Sequence, residues 1–330
     1  MTKREMFLGL FVGLQAFLWL YAKKIDLQLL YDQSQPGKLK ESSTVIEQVD
    51  YFGHQPESSD IELQASRVIM NGQSQTLFYF PKGHWVNLRN QQKTNYAAQE
   101  GILKHEEKKI ILEGDIFIGS EQGEFRAYKA TLDQFKNTLK AQGDVRWFYK
   151  DNLNKQNLEV KADKSESDFN KEYTLFTGKI ESILSPWQKF IPVLKLKAQQ
   201  MEAFKKDSLL KVDGDVWLQR GQMEITARRG EVYLENQVKK LKYLVLNDDV
   251  KLIEKLPIAS QSDGANSASG QNRQAYAERL EGFPDQRFVL SGAPRVVQGQ
   301  DIIKGYKITI KEKAESIEVE DAISDVKVKK

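Results

Sequence analysis

Few residues of this chain are placed to do covalent or metal chemistry. The three histidines, His54, His84 and His105, lie on separate segments without ligand spacing, so they read as surface residues rather than metal ligands or general bases. Cysteine is absent, which removes disulfides, thiolate nucleophiles, cysteine–zinc sites and a lipid-acylated cysteine. No nucleophile elbow, phosphate loop, dinucleotide fingerprint or zinc-protease motif occurs. Asp248 and Asp249 are adjacent, and adjacent residues of a strand point to opposite faces, so they do not converge as an acid–base pair. Asp213 and Asp215 flank a glycine at an expected turn. The Gly-Asp pairs are spaced several times too widely for a calcium-binding nonapeptide array. These residues predict a protein that is not an enzyme and that holds neither metal nor cofactor. A formal net charge of +3, evenly spread, leaves no electrostatic footprint for nucleic acid.

What remains is apolar surface, and a repeat sets it out. From Val45 onward, runs of four to seven residues alternate apolar and polar, the period of a half-buried strand. Helical spacing is not sustained beyond the N-terminus, with Ala198 to Phe204 as its best candidate. One unit recurs as Leu112-Glu113-Gly114-Asp115-Ile116, Ala141-Gln142-Gly143-Asp144-Val145 and Val212-Asp213-Gly214-Asp215-Val216, with weaker copies at Gly178-Lys179, Asp248-Asp249 and Gly292-Ala293. The glycines at 114, 143, 178 and 214 lie 29, 35 and 36 residues apart. We read each Gly-Asp as a turn, glycine supplying positive φ and aspartate bonding the turn backbone. Between these copies come alanine-centred strands at Ala65, Ala97-Ala98, Ala127, Ala162, Ala227 and Ala275-Tyr276-Ala277. A small residue at a fixed point predicts a narrow place where facing sheets approach. The period implies an elongated, all-β antiparallel stack in which each layer rests on its neighbours.

One face of the Gly-Asp strands carries Ile116 and Ile118, Val145 and Trp147, Val216 and Leu218, Val250 and Leu252. Two readings fit this stripe equally: a dry core between sheets, or a groove for acyl chains. The segment Leu184 to Val193 contains Pro186 and Pro192 and reads as a seam between two halves. The Ser/Gly/Asn-rich stretch 259–272 reads as an inserted loop.

The N-terminus addresses location. Met6 to Ala22 is apolar except for Gln15, and Lys3, Arg4, Lys23 and Lys24 flank it. At about 1.5 Å per residue it is just long enough to cross a bilayer core. Phe7, Leu8, Phe11, Leu14 and Phe17 supply its apolar length, and Trp19 its interfacial end. The rival is a cleaved signal peptide, but Leu20-Tyr21-Ala22 makes a poor small-x-small site. The expectation is an anchor over 1–24, a polar tether over 25–44 and the β-domain outside the cytoplasm.

The ordered series Ile61-Glu62-Leu63-Gln64-Ala65-Ser66-Arg67, Tyr96-Ala97-Ala98-Gln99-Glu100-Gly101 and Lys109 to Ile118, behind an N-terminal anchor, resembles the LptC-like proteins of the lipopolysaccharide-export bridge family. Ser291-Gly292-Ala293-Pro294-Arg295 through Ile308 resembles the closing repeat of the OstA/LptA-like members. The resemblance implies an open β-jellyroll, with an LptC-like part over 45–185 and a second, OstA/LptA-like half over 186–330. It also implies lipopolysaccharide as ligand, an inner-membrane ABC transporter as donor, and edge-strand pairing with another OstA-like protein. A continuous apolar path fits that role, because each shielded acyl methylene is worth about 0.8 kcal/mol. The competing expectations are an anchored structural scaffold with a dry core and a carbohydrate-active β-helix.

Overall fold

The computed structural model describes residues 43–55, 59–71, 74–88, 91–121, 123–133, 135–152, 155–188, 192–235, 241–255, 272–284, 287–299, 301–311, 317–320 and 323–325. The expected anchor, nearly all of the tether and most of the 259–272 insertion lie outside them. Among the described residues every regular element is a strand, and no helix is long and apolar enough to cross a membrane. The chain is all-β, and its described pairings are antiparallel.

By contact clustering the chain forms two compact units. Unit 1 is Met1–Tyr149 with Lys161–Thr174; unit 2 is Lys150–Val160 with Leu175–Lys330. The first strands are β1 (Ser43–Gln55), β2 (Ser59–Asn71), β3 (Gln75–Tyr79), β4 (Lys82–Asn87), β5 (Gln92–Ala97), β6 (Glu100–Lys104), β7 (Lys109–Ser120), β8 (Gly123–Asp133) and β9 (Thr138–Asp151). Next come β10 (Gln156–Asp168) and β11 (Tyr173–Pro186), within which the units divide. Then follow β12 (Leu194–Phe204), β13 (Leu209–Arg220), β14 (Met223–Leu234), β15 (Leu241–Lys255) and β16 (Asn272–Gly282). The short strands β17 (Arg287–Ser291), β18 (Arg295–Gln298), β19 (Asp301–Lys304), β20 (Lys307–Lys311), β21 (Ile317–Glu320) and β22 (Ile323–Asp325) complete unit 2.

Three local expectations need correction. Ser43 and Thr44 belong to β1 rather than to a tether, since they pair with Asn71 and Met70. Ala198 to Phe204 is the second half of a strand whose Ala203 and Phe204 pair with Leu210 and Leu209; cross-strand pairing overrides a short stretch of helix-permissive residues. Pro186 ends β11, a place where its missing N–H costs no ladder bond; the units divide upstream of it.

The Gly-Asp pairs are the main correction. They do not reverse the chain; each sits in the middle of a long strand. In β7, Gly114 and Asp115 have φ of 79° and 44°; in β9, Gly143 and Asp144 have 79° and 48°; in β13, Gly214 and Asp215 have 78° and 48°. Asp248-Asp249 in β15 and Gly292-Ala293, between β17 and β18, repeat the same left-handed pair. At each strand the ladder slips by one residue. Asp213 pairs with Arg229 and Val216 with Ala227, so β13 advances three positions where β14 advances two. The same slip occurs at Glu113/Ile116 in β7 and at Asn247/Val250 in β15. An extra residue in one strand is a β-bulge, which bends the strand and sharpens its twist. A Cβ at Gly214 would lie 2.8 Å from the Gln199 Cβ, and one at Gly114 within 2.4 Å of the Gln99 side chain. Glycine is therefore required there for space as well as for φ.

The bulges line up, so each unit is one sheet folded along a crease. In unit 1, β7 pairs with β6 before its bulge and with β5 after it. Likewise β2 gives one half to β3 and the other to β4. In unit 2, β16 pairs with β17 through Arg279–Gly282 and with β18 through Arg273–Tyr276. β20 and β21 then extend the first layer, while β19 and β22 extend the second.

Candidate functional site

Each unit encloses the inner faces of its two layers. In unit 1 the interior joins Ile61, Leu63 and Phe125 of one layer with Val68, Phe78, Leu103 and Leu132 of the other. A face of a single sheet cannot bring Val68 to 0 % exposure; the opposite layer must cover it. The alanines mark where the layers converge. Ala127 faces Ile116 beside the β7 bulge, Ala227 faces Val216 beside the β13 bulge, and Ala277 faces Val250 beside the β15 bulge. The expected narrow place is the crease.

Outward from the crease, inward-facing residues form rows across the strands. In the second layer of unit 1 the row Tyr96–Ile118–Phe125–Trp147 follows the crease residues. Phe125 and Trp147 meet edge to face at 5.1 Å. Burial raises the Tyr96 phenol above its ordinary value, with the Glu62 carboxylate adding to the effect, and its hydroxyl donates to the Glu62 carbonyl at 2.9 Å. The corresponding row of unit 2 is Leu196–Leu218–Ile225–Leu252–Ala275–Val296.

All eight residues predicted for the apolar stripe face an interior. Ile116, Val145, Val216, Leu218, Val250 and Leu252 are buried, while Ile118 and Trp147 are half-buried and pack against the unit 1 core. They form two sets: Ile116, Ile118, Val145 and Trp147 in unit 1, and Val216, Leu218, Val250 and Leu252 in unit 2. Trp217, of opposite parity, turns outward, where the Lys197 ammonium lies 5.7 Å from its ring.

Polar side chains brace the crease from outside. Gln99 donates from Nε2 to Asp115 Oδ2 at 2.6 Å, and Gln199 donates to Asp215 at 2.7 Å. At the Asp-Asp copy, Arg229 reaches Asp248 at 2.9 Å and Arg228 reaches Asp249 at 2.7 Å. These carboxylates are engaged from outside the layers. His105 Nε2 lies 2.9 Å from Thr76 Oγ1, and His84 Nδ1 lies 3.7 Å from Glu62. Among the described residues no group of three or more acidic or histidine side chains is placed to hold a metal.

The sequence reading missed a charged pair inside. Glu254 continues the parity of Val250 and Leu252, and Arg273 that of Ala275. They face one another across β15 and β16, with Arg273 Nη1 3.2 Å from Glu254 Oε2 and side chains only 2 % and 8 % exposed. A signal existed: a charge at inward parity at the end of each apolar run.

Residues 195–316, less than half of the chain, match the family model described as LptA/(LptD N-terminal domain) LPS transport protein. That segment of unit 2 is thus similar to lipopolysaccharide-transport domains, and it contains the C-terminal motifs that carried the resemblance. No curated protein matches the chain. One solved structure, described as LptH, the LptA homologous periplasmic component of the conserved lipopolysaccharide transport device from Pseudomonas aeruginosa, is 15% identical, with a TM-score of 0.34, and the match covers 41% of this chain and 95% of that one.

Proposed function

We propose that this chain is a periplasmic lipopolysaccharide-transport protein whose folded sheets shield acyl chains during transfer between membranes. The match of residues 195–316 to an LPS transport family carries this reading, and the apolar rows agree with it. Each unit is a sheet hinged along one side, the arrangement of an open jellyroll. Parting the layers exposes a stripe running from the crease outward, lined by Ile116, Ile118, Val145 and Trp147 or by Val216, Leu218, Val250 and Leu252. Every methylene sheltered there recovers about 0.8 kcal/mol. Unit 1 fills the LptC-like role and unit 2 the OstA/LptA-like one. The segment Met6–Ala22 anchors the chain in the inner membrane, an ABC transporter supplies the lipid and the energy, and a further OstA-like sheet joins by edge pairing.

One observation favours the alternative of an anchored scaffold. Val145 and Leu252 are at 0 % exposure, as in a closed, dry core, so transfer requires the layers to separate. In-cell photo-crosslinking decides. A photoreactive residue placed singly at Trp147 and Leu252 is expected to form lipopolysaccharide adducts, and one at Trp217 none. Folded protein with no adduct at Trp147 or Leu252 would establish the scaffold instead.

A further inference from the structure

The outermost inward row of unit 2 contains charged residues, whereas the row behind it is apolar. Beyond Leu218–Ile225–Leu252–Ala275 comes Arg220–Met223–Glu254–Arg273–Gln298, each residue paired with the next. This row lies at the turn end of its layer, farthest from the crease: Arg220 and Met223 flank one turn, and Glu254 and Arg273 are the second residues from the ends of β15 and β16. Its central Arg–Glu pair is nearly excluded from solvent. A buried ion pair is a poor way to stabilise a fold, since apolar residues of similar volume often do as well or better. Its position suggests a task. An amphiphile entering a sheet folded in this way puts its chains toward the crease and its headgroup at the opposite lip, where this row sits.

We infer that the Arg273–Glu254 pair is a recognition site for a phosphate monoester on the headgroup of the transported lipid, a reading that rests on the proposed transport function. Guanidinium presents a planar fork of donors that matches a phosphate bidentately. Glu254 compensates its charge while no lipid is bound. An arriving phosphate replaces the carboxylate as partner, and Glu254 turns out toward solvent. Arg220 and Gln298 flank the position with further donors. The neutral Met223 beside them fits the first carbons of an acyl chain.

The test uses the full-length chain, purified lipopolysaccharide and the same lipopolysaccharide stripped of its phosphates. The native protein is expected to bind the phosphorylated form about tenfold or more tightly, the size of a charge-assisted hydrogen-bond difference. The paired variant Arg273→Met/Glu254→Met removes both charges together and keeps the interior apolar, so it is expected to fold. It should bind both lipids alike, with its affinity for the dephosphorylated form undiminished. Arg273→Lys, which keeps the charge and loses the fork, should lose most of the discrimination. If the native protein and the paired variant bind lipid and discriminate equally, the pair is structural and the inference is overturned while the transport reading stands. If inorganic phosphate alone shifts the Arg273 side-chain resonance as fully as the lipid does, the site is one for free phosphate and the headgroup assignment is wrong. If no lipid binds to any of the proteins, the transport reading fails and the inference with it.

Discussion

Each unit has its own crease, built alike in both, and the two differ at the lip. Both fold at left-handed Gly-Asp bulges, and in both a glutamine opposite the bulge on the preceding segment donates to the aspartate: Gln99 to Asp115 and Gln199 to Asp215. Both place alanine beside the bulge, facing Ile116 in one and Val216 in the other. At the lip they part. The outer row of unit 1 runs Thr94–Ser120–Gly123–Tyr149 and is uncharged, whereas that of unit 2 carries Arg220, Glu254 and Arg273. The crease is dictated by backbone geometry, which admits few solutions and therefore recurs. The lip is free of that constraint, so its chemistry can differ between units that bend in the same way.

The largest effect that separates the units is expected at that lip. Arg273→Ala leaves Glu254 buried opposite an alanine and should cost unit 2 about 3–5 kcal/mol. Hydrogen exchange read separately on the amides of the two units should show the loss in unit 2 and little change in unit 1; equal loss in both would mean they unfold as one. The crease should behave alike in the two units. Gly114→Ala and Gly214→Ala each impose a left-handed φ on alanine and a contact with a neighbouring glutamine side chain, at about 1–3 kcal/mol. A much smaller cost in either unit, measured by denaturant unfolding, would show that its crease relaxes.

A third difference lies in pH response. The Tyr96 phenol, raised by burial in unit 1, binds its proton more tightly folded than unfolded. Its contribution is complete below the ordinary tyrosine value of about 10 and is lost as pH climbs above it. Unit 1 should therefore weaken in alkali, and Tyr96→Phe should flatten that part of its stability–pH curve at a cost of about 1 kcal/mol near neutrality. An unchanged curve would assign the alkaline loss to other groups. The smallest effects are expected for Gln99→Leu and Gln199→Leu, about 0.5–1 kcal/mol each, because these braces are exposed and water can replace them. A larger loss would show that the glutamine, rather than the glycine, sets the fold angle.

Much of this architecture was written into local patterns. Alternation of apolar and polar residues determined that the chain is all-β and that Val216 and Leu218 share a face, since successive side chains on a strand must diverge. The regular return of Gly-Asp and alanine determined that one structural unit repeats. The resemblance to lipopolysaccharide-transport proteins, too, was present in short motifs. What a Gly-Asp does was not: two left-handed residues serve a chain reversal or a mid-strand bulge equally well, and only the pairing of β13 with β14 through both sides of Gly214-Asp215 distinguishes them. Whether Ala198–Phe204 is helix or strand was likewise settled by β13 beside it. Glu254 and Arg273 lie on opposite sides of a long insertion, and each alone looks like a solvated strand end. Only the register of β15 against β16 sets them face to face and buries them. A sequence fixes periodicity because side-chain direction is local, whereas register and layer contact are decided by partners many residues away.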